Sequence, residues 1–297
     1  MLKRRSRRVS RVLMIAPLAL VSLAAVSIQD DKPADEGPWR ILVTNDDGIE
    51  SPGLSALVAA LAEIGEVYVA APAENCSGSS ASSDGFGRPL GLAEHSIEGA
   101  QRACAIAGKP VDACQFGVFV LGRDSESGKP PFDLVVSGIN RGANVGELSH
   151  YSGTVGAAVA AAHQGLPAIA VSQDHSAADP AFAAGFARRF ASELLQRGAR
   201  PGVIYSINVP GAAADDVLGV RIASMGGAEF GVSGYAEGVD AKGESICRAQ
   251  IHRNARAPEG SDTAAYVGRY VTITPLQFDW TDRESVSELQ GWGLSVE

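Results

Sequence analysis

The chain has 297 residues, of which 45% are hydrophobic, so it is long and apolar enough to form one large domain or two modest ones around a sizeable core. Its formal net charge of −9 at pH 7 argues against a protein that binds polymeric nucleic acid, because such proteins need a basic surface. The same charge is compatible with a small phosphorylated substrate, since a bound cation can supply positive charge locally.

The first 27 residues have the composition of a signal peptide. Six basic residues precede an apolar run at residues 12–26, and small residues lie at the expected cleavage positions. This pattern predicts export to the periplasm; the alternative is an uncleaved membrane anchor, but the run is short for a span of ~20 residues. Without residues 1–27, the chain has 19 basic and 34 acidic residues, a formal net charge of −15, and no stable membrane association is expected. Residues 28–39 are polar and are predicted to form an N-terminal tail.

Two adjacent carboxylates follow the first predicted strand. Residues 41–44 are mainly apolar, Asn45-Asp46-Asp47-Gly48 follows, and a helix is predicted from Pro52, because Ser51 can cap it and proline fits the first helical position. In open α/β sheets, ligands bind at the carboxyl ends of the strands, where these carboxylates lie. Adjacent carboxylates repel each other unless a cation or a proton lies between them, and their oxygen atoms suit Mg²⁺, Mn²⁺ or Ca²⁺. The alternative is an ordinary turn, which the same residue types favour.

Two further loops follow predicted buried strands. The strand at residues 66–72 leads into a small, polar loop at residues 73–83, for which a flexible linker is the alternative to a binding loop. The strand at residues 132–137 leads into a loop rich in glycine and asparagine that continues to residue 151, longer than the ~2–6 residues usual in α/β units. Both loops are therefore expected beside the two carboxylates, at the same edge of the sheet.

The second of these loops ends at a helix that begins with small residues. Ser152-Gly153-Thr154 opens an alanine-rich helix, and Gly165 and Pro167 end it. Free backbone N–H groups at such a helix start can bind an anion, and the hydroxyl groups of Ser152 and Thr154 add hydrogen-bond donors. A simple N-cap is the alternative, because serine and threonine are favoured at that position in any case.

Strands and helices alternate through the first two thirds of the chain. This alternation predicts a mostly parallel sheet covered by helices on both faces, with residues 40–210 as the core. From residue 211 the pattern changes to strand-like segments broken by glycine, which predict β-hairpin extensions and arms over residues 211–297 that serve in subunit contacts. The remaining predicted elements are strands at 104–107, 168–172 and 203–210, a helix at 110–121, and a helix from Asp179 whose buried face is Phe182, Phe186, Phe190 and Leu194.

The four cysteines are Cys76, Cys104, Cys114 and Cys247. They include no C-x-x-C pair, so a zinc ribbon is not expected. Cys104 and Cys114 are the nearest in sequence and the first pair to consider for a disulfide, while buried free thiols are the alternative.

Four separated segments resemble the SurE-type survival-protein nucleotidases, and they occur in the family's order. One difference is Cys76, which stands where the family commonly has a basic or amide residue. The resemblance extends from about Arg40 to Leu276 and also includes Gly108-Lys109-Pro110-Val111-Asp112 and Ser261-Asp262-Thr263-Ala264-Ala265. The four segments are Asn45-Asp46-Asp47-Gly48, Asn75-Cys76-Ser77-Gly78, Ser137-Gly138-Ile139-Asn140 and Tyr151-Ser152-Gly153-Thr154-Val155.

The resemblance implies a Rossmann-like, three-layer α/β/α fold and a divalent-metal-dependent phosphatase, acid-phosphatase-like, that hydrolyses nucleoside 5′- and 3′-monophosphates. Asp46 and Asp47 are the predicted catalytic residues, one of them as general base. Family members exchange C-terminal segments, so a homodimer or homotetramer is expected. By the family pattern, one Mg²⁺ or Mn²⁺ per subunit is held by Asp46, Asp47, the side-chain oxygen of Ser77, and Asn140. The phosphate is expected at Asn45, Asn144, Ser152, Gly153 and Thr154.

Two other functions compete with this interpretation. An aspartyl-phosphate phosphatase would use Asp46 or Asp47 as nucleophile. Such enzymes commonly place a second acid two positions later, whereas Gly48 and Ile49 stand there in this chain. A non-catalytic periplasmic protein that binds nucleotides or sugars would have two α/β lobes around a cleft, whereas the sequence predicts one such lobe followed by β-rich arms.

Overall fold

The computed structural model describes residues 37–124, 131–177, 179–200, 202–253 and 257–296. The predicted signal peptide, residues 1–27, lies outside the described residues, as does most of the predicted tail. Among the residues that are described, no helix is long and apolar enough to cross a membrane. The strands are β1 (Trp39–Thr44), β2 (Gly65–Pro72), β3 (Leu92–His95), β4 (Ala100–Ile106), β5 (Leu134–Arg141), β6 (Ala168–Gln173), β7 (Val203–Val209), β8 (Val220–Ile222), β9 (Phe230–Val239), β10 (Ser245–Arg253) and β11 (Val271–Gln277). The α-helices are α1 (Pro52–Leu61), α2 (Pro110–Val120), α3 (Gly153–His163), α4 (Ala181–Arg197), α5 (Asp262–Val267) and α6 (Arg283–Gln290).

A nine-stranded sheet forms the centre of the molecule, in the order β3-β4-β2-β1-β5-β6-β7-β11-β8. The six strands from β4 to β7 in this order run parallel, while β3 and β11 pair antiparallel with β4 and β7. This arrangement confirms the predicted α/β fold with a mostly parallel sheet. The chain continues to one side of β1 through β2 and β4 and to the other side through β5, β6 and β7. A ligand crevice is therefore expected where the carboxyl ends of β1 and β5 meet.

Helices cover both faces of this sheet, as the alternating pattern predicts. Apolar side chains from α1 and α4 pack on one face, and those from α2 and α3 pack on the other. Ile41 and Val43 of β1 join the first cluster, and Leu42 joins the second, because successive side chains of a strand point to opposite faces. A strand that is buried on both faces requires a continuous apolar run, and this requirement explains why β1 and β5 are so apolar.

The buried face of α4 differs from the predicted one. Leu194 is buried as expected, but Phe182, Phe186 and Phe190 are only partly buried. Small side chains let α4 approach the sheet and α1 closely, and the phenylalanine rings then pack at the margins of that contact. The side chains that α4 buries are, besides Leu194, Ala183, Ala184, Ala187, Ala191 and Ser192.

The C-terminal third of the chain contributes both to the sheet and to a separate hairpin. β11 lies antiparallel against β7, and β8 pairs with β11, so the central sheet continues beyond residue 210. β9 and β10 form the expected hairpin as a second, two-stranded sheet. The short helices α5 and α6 lie in the region for which the sequence predicts strand-like segments. All four cysteines are free, and Cys104 and Cys114 are buried. The domain boundary at residue 210 stays a prediction.

Candidate active site

Asp46 lies just past the end of β1 and is only 2% exposed. Its Oδ1 atom accepts a hydrogen bond from the Thr154 hydroxyl at 2.6 Å, and its backbone oxygen accepts one from the Cys76 N–H at 2.7 Å. Burial raises the pKa of Asp46 to about 6, and the neighbouring charge of Asp47 adds to the rise, while the Thr154 hydrogen bond opposes it. The fold therefore holds this carboxylate in one position, where its charge is costly without a cation.

Asp47 is less buried, and both of its carboxylate oxygens accept hydrogen bonds. Oδ2 accepts the backbone N–H of Arg141 at 2.9 Å, and Oδ1 accepts the side-chain amide of Asn75 at 3.2 Å. Burial raises the pKa of Asp47, although the N–H and charge of Arg141 and the Asn75 amide act against that rise. These contacts join the carboxyl end of β1 to that of β5 and to the loop after β2.

The structure brings Ser77 and Asn140 to the same edge of the sheet as the two aspartates. Ser77 follows the residue whose N–H bonds Asp46, and its own N–H donates to Asn75 Oδ1 at 2.9 Å. Asn140 is the last residue but one of β5, next to Arg141, and its side-chain nitrogen donates to the Gly142 carbonyl at 2.6 Å. That bond fixes the amide so that its oxygen remains as the atom that can ligate a cation.

The chemistry of these four donors fits a hard divalent cation. Two carboxylates, one hydroxyl and one amide oxygen supply oxygen ligands alone, the type that Mg²⁺, Mn²⁺ and Ca²⁺ prefer. No group of three or more His, Cys, Asp or Glu side chains within the described part of the chain is arranged as a cation site. A cation at this edge would therefore depend on the Ser77 and Asn140 oxygens in addition to the two aspartates.

Helix α3 begins directly beside Asp46. The Ser152 hydroxyl caps it by accepting the backbone N–H three residues later at 3.1 Å. At Gly153 the space is too small for a side chain: a Cβ there would lie 2.8 Å from the Asp46 Cβ and 2.8 Å from the Ser79 Oγ. Glycine thus lets the helix start approach the carboxylate, and the free N–H groups of the first turn are available to an anion.

Besides Ser152, which caps α3, three members of the predicted phosphate set are engaged within the protein. The Thr154 hydroxyl donates to Asp46, and Asn45 Oδ1 and Nδ2 both bond Gly48, which closes the turn after β1. The Asn144 amide donates to the Ser172 hydroxyl at 2.8 Å. These contacts give each side chain a structural task, and contact of phosphate with Asn45, Asn144, Ser152, Gly153 and Thr154 stays a prediction.

Sequence reasoning assigned no role to two residues that hold the loop after β2. Asn75 bonds both Asp47 and the Ser77 N–H, so it links the carboxylate to the hydroxyl ligand candidate. Ser80 connects this loop to the one after β5, because its N–H and hydroxyl donate to the carbonyls of Tyr151 and His150 at 3.1 and 2.7 Å. The sequence feature that could have indicated a role for Asn75 is its place in the motif that contains Ser77. For Ser80, the only such feature is its place in the polar loop after β2.

Asp112 holds the same loop from helix α2. Its carboxylate accepts the Ser83 hydroxyl and the backbone N–H groups of Asp84, Gly85 and Lys109. Burial alone would raise the pKa of Asp112, but these hydrogen bonds bring it below its ordinary value. The loop that presents Ser77 is therefore anchored by an ionised carboxylate outside the site.

Comparison with known proteins identifies one family. A family model described as "Survival protein SurE" matches residues 41–231. A protein named 5′-nucleotidase SurE from Chlorobaculum tepidum is 38% identical over 260 residues, which is 86% of this chain and 95% of that protein. A protein of the same name from Syntrophomonas wolfei is 36% identical over 252 residues, 84% of this chain and 92% of its own length.

A solved structure has the same fold. The crystal structure of a SurE protein from Aquifex aeolicus superposes with a TM-score of 0.71 at 29% sequence identity. The match covers 84% of this chain and 99% of that one. The likeness extends into the C-terminal third, because 84% of this chain is more than residues 1–210 could supply.

The relatives correct the predicted localisation. The prediction of an exported, periplasmic protein is wrong, because the curated relatives that match 84% and 86% of this chain carry the name 5′-nucleotidase SurE, which denotes no exported form. The region matched by the family model begins at residue 41, after the segment on which the prediction depended. That segment, residues 1–27, lies outside the described residues.

Proposed function

Because the chain belongs to the SurE survival-protein family, we propose that it is a phosphomonoesterase. Its substrates would be nucleoside 5′-monophosphates, and also 3′-monophosphates, which it hydrolyses to nucleoside and phosphate. Both curated relatives are named 5′-nucleotidases. The observation that carries the proposal is the pair of carboxylates, the buried Asp46 and the partly buried Asp47, where the carboxyl ends of β1 and β5 meet, beside the N-terminus of α3. Carboxylates that can hold a cation and a helix start that can hold an anion together suit a phosphate ester.

SurE-family proteins are generally metal-dependent, and here we propose one Mg²⁺ or Mn²⁺ per subunit. Asp46, Asp47, Ser77 and Asn140 would hold it. When bound, such a cation supplies Lewis acidity toward a phosphoryl oxygen and increases the acidity of water. The raised pKa values of both aspartates support this assignment, because a nearby cation reverses the penalty that burial imposes on their charge.

The residues of the chain have separate tasks in this proposal. Thr154 orients the Asp46 carboxylate, and Asn75 together with the Arg141 N–H orients that of Asp47. One of the two aspartates accepts a proton from the attacking water while the water oxygen bonds to phosphorus. The bond between phosphorus and the nucleoside oxygen breaks, and that oxygen leaves as a hydroxyl group after it takes up a proton from the aspartic acid or from solvent. The N–H groups at the start of α3 stabilise the charge on the phosphate oxygens.

Removal of divalent cations is expected to abolish the activity. Phosphate release from a panel of 5′- and 3′-nucleotides should fall to background with EDTA and return with excess Mn²⁺ or Mg²⁺, because Asp46 and Asp47 cannot polarise the ester themselves. The measurement is a colorimetric phosphate assay on the purified chain, with circular dichroism to show that EDTA leaves it folded. Release that persists fully in EDTA would refute the metal requirement, and folded protein inactive with every cation would refute the enzyme.

The two competing functions have distinct signatures. A two-lobed binding protein is disfavoured because the described residues form one central sheet with a small hairpin beside it. Nucleotide binding in titration calorimetry without any phosphate release would nevertheless identify a binding protein. A covalent aspartyl-phosphate would appear as a mass increase of one phosphoryl group after acid quench during turnover.

We also propose that the chain assembles as a homodimer or homotetramer. The hairpin β9–β10 and the segment around α6 are exposed and carry apolar side chains, a pattern that marks surfaces for protein contacts. Multi-angle light scattering of the purified chain is expected to give a mass of two or four subunits, and a monomer at micromolar concentration would contradict the assembly. The exposed apolar residues are Phe230, Val232, Tyr235, Val239, Ile251, Trp280, Val286, Leu289, Trp292 and Leu294.

A further inference from the structure

We infer that Asp262, at the start of α5 in the C-terminal third of the chain, is a positioning residue for the active site. It fixes the loop between β5 and α3, and through that loop it sets the position of the α3 N-terminus beside Asp46. The inference rests on the proposed function, because it concerns the phosphate-binding side of the same site.

The Asp262 carboxylate accepts backbone N–H groups from three segments of the chain. It is 1% exposed, and its Oδ2 accepts the backbone N–H of Gly146 at 2.9 Å. Its Oδ1 accepts the N–H of Gly226 at 3.0 Å and that of Thr263 at 2.8 Å. One buried side chain thus ties the loop after β5 to the segment that leads into the hairpin β9–β10 and to the first turn of α5.

The backbones of the loop and of the hairpin base are in direct contact at this point. The Glu147 N–H donates to the Gly227 carbonyl at 2.7 Å. A Cβ on Gly146 would lie 1.9 Å from that carbonyl oxygen, and Gly146 has a φ of +55°, a conformation that favours glycine. No side chain separates the two segments, so a shift of the hairpin base shifts the loop with it.

The loop is connected from this contact to the helix start. The Ser149 hydroxyl donates to the Asn144 carbonyl at 2.7 Å, which closes the loop on itself. Ser80 then holds the carbonyls of His150 and Tyr151, directly before the N-cap of α3. Only six residues separate Gly146 from Gly153, and hydrogen bonds hold the intervening backbone, so a displacement at Gly146 moves the anion-binding end of α3 relative to Asp46.

The task requires a carboxylate. The Asp262 oxygens face three backbone N–H groups, and a carboxylate can accept all of them. An asparagine at this position would turn an NH₂ group toward either Gly146 or Gly226, and the N–H facing it would lose its partner in a buried environment. Asp262→Asn therefore loosens one of the two links while it preserves the size of the side chain.

The variant Asp262→Asn tests the inference, with Asp240→Asn as matched control. Asp240 accepts the N–H groups of Lys242 and Glu244 at the tip of the β9–β10 hairpin, so the control makes the same chemical change in the same region away from the loop. For the test variant we expect KM for the nucleotide to rise about tenfold and kcat/KM to fall roughly 10²-fold, since a displacement of about 1 Å has such an effect. The control should stay within twofold of the parent chain. Loss of folded protein alone would lower apparent kcat and leave KM unchanged.

Hydrogen exchange provides a readout that does not depend on activity. In Asp262→Asn, amides of residues 144–151 are expected to exchange at least tenfold faster, while those of β1 keep the parent rate. Unchanged exchange in this segment, or a KM within twofold of the control, would overturn the inference even if the enzyme is active. If the variant does not fold, hydrogen exchange of the parent protein tests the inference instead. The Gly146 and Glu147 amides of the parent should exchange as slowly as those of α5, and rapid exchange of these two amides would overturn the inference. A parent chain without phosphatase activity refutes the proposed function alone, since the exchange result stands separately.

Discussion

Asp46→Asn is expected to reduce kcat/KM for nucleoside monophosphates by roughly 10³-fold, equivalent to about 4 kcal/mol of transition-state stabilisation. The side chain of Asp46 is a proposed cation ligand, and it is one of the two candidates for the general base. Asparagine has nearly the same shape, and its Oδ1 can still accept the Thr154 hydroxyl, so the fold should persist. Steady-state phosphate release at saturating Mn²⁺ measures the loss.

The same substitution is expected to stabilise the metal-free protein at pH 8. Burial raises the pKa of Asp46 from 3.8 to about 6, so the folded state binds this proton more tightly than the unfolded state. The favourable contribution is complete below pH 4 and is lost as the pH rises through 6, a difference of about 3 kcal/mol. Removal of the charge should therefore raise the free energy of unfolding at pH 8 by up to about that amount, and the gain should vanish below pH 4.

Urea unfolding in EDTA at pH 4 and at pH 8 tests this prediction, with Asp240→Asn as control. Saturating Mn²⁺ should reverse the order at pH 8, because a cation that binds only the folded state stabilises the parent chain and not the variant. An Asp46→Asn protein with more than a tenth of the parent activity would contradict the role of this carboxylate. A variant less stable than the parent in EDTA at pH 8 would contradict the burial argument.

Gly153→Ala is expected to lower kcat/KM by about 10²-fold. The new Cβ would lie 2.8 Å from the Asp46 Cβ and 2.8 Å from the Ser79 Oγ. Both distances are too short for non-bonded atoms, so one of the groups must move. Either the α3 start or the carboxylate must move, and a displacement of about 1 Å between groups that bind the same substrate has an effect of this size. The loss should appear both in KM for the nucleotide and in the affinity for Mn²⁺.

Gly185→Ala in α4 is the matched control for this substitution. Its Cβ would meet only the end of the flexible Arg189 side chain, at 3.7 Å. Alanine is the better helix former, so this control should keep full activity and gain about 0.5–1 kcal/mol of stability. Steady-state kinetics and thermal unfolding of both variants separate the close approach at Gly153 from a general effect of alanine in a helix. Equal activity of the two variants would refute the tight contact.

The sequence predicts those parts of the site that follow directly from the strands. The apolar run of β1 fixes where the strand ends, and thus places Asp46 and Asp47 at the carboxyl edge of the sheet. The apolar run of β5 does the same for Asn140. Because both strands lie next to each other, the parallel pattern alone brings these residues together, and the structure agrees with that prediction.

Contacts between distant segments were beyond sequence reasoning. Asp262 and Gly146 are 116 positions apart. No periodicity in the sequence relates the start of the short helix α5 to the loop that precedes α3. The prediction of the buried face of α4 was wrong for a different reason. Hydrophobicity ranks phenylalanine above alanine, whereas the spacing between helix and sheet at Ala187 admits only small side chains.

The position of β11 also has a consequence during protein synthesis. β7 is an inner strand of the finished sheet, yet its outer partner is β11, whose residues are made more than sixty positions later. β8 cannot substitute early, because it pairs with β11. A nascent chain therefore presents the open edge of β7, flanked by a completed parallel core, until Val271–Gln277 leaves the ribosome. Such an edge is a template for pairing between chains, so neighbouring nascent chains can join wrongly throughout the interval between the synthesis of β7 and that of β11.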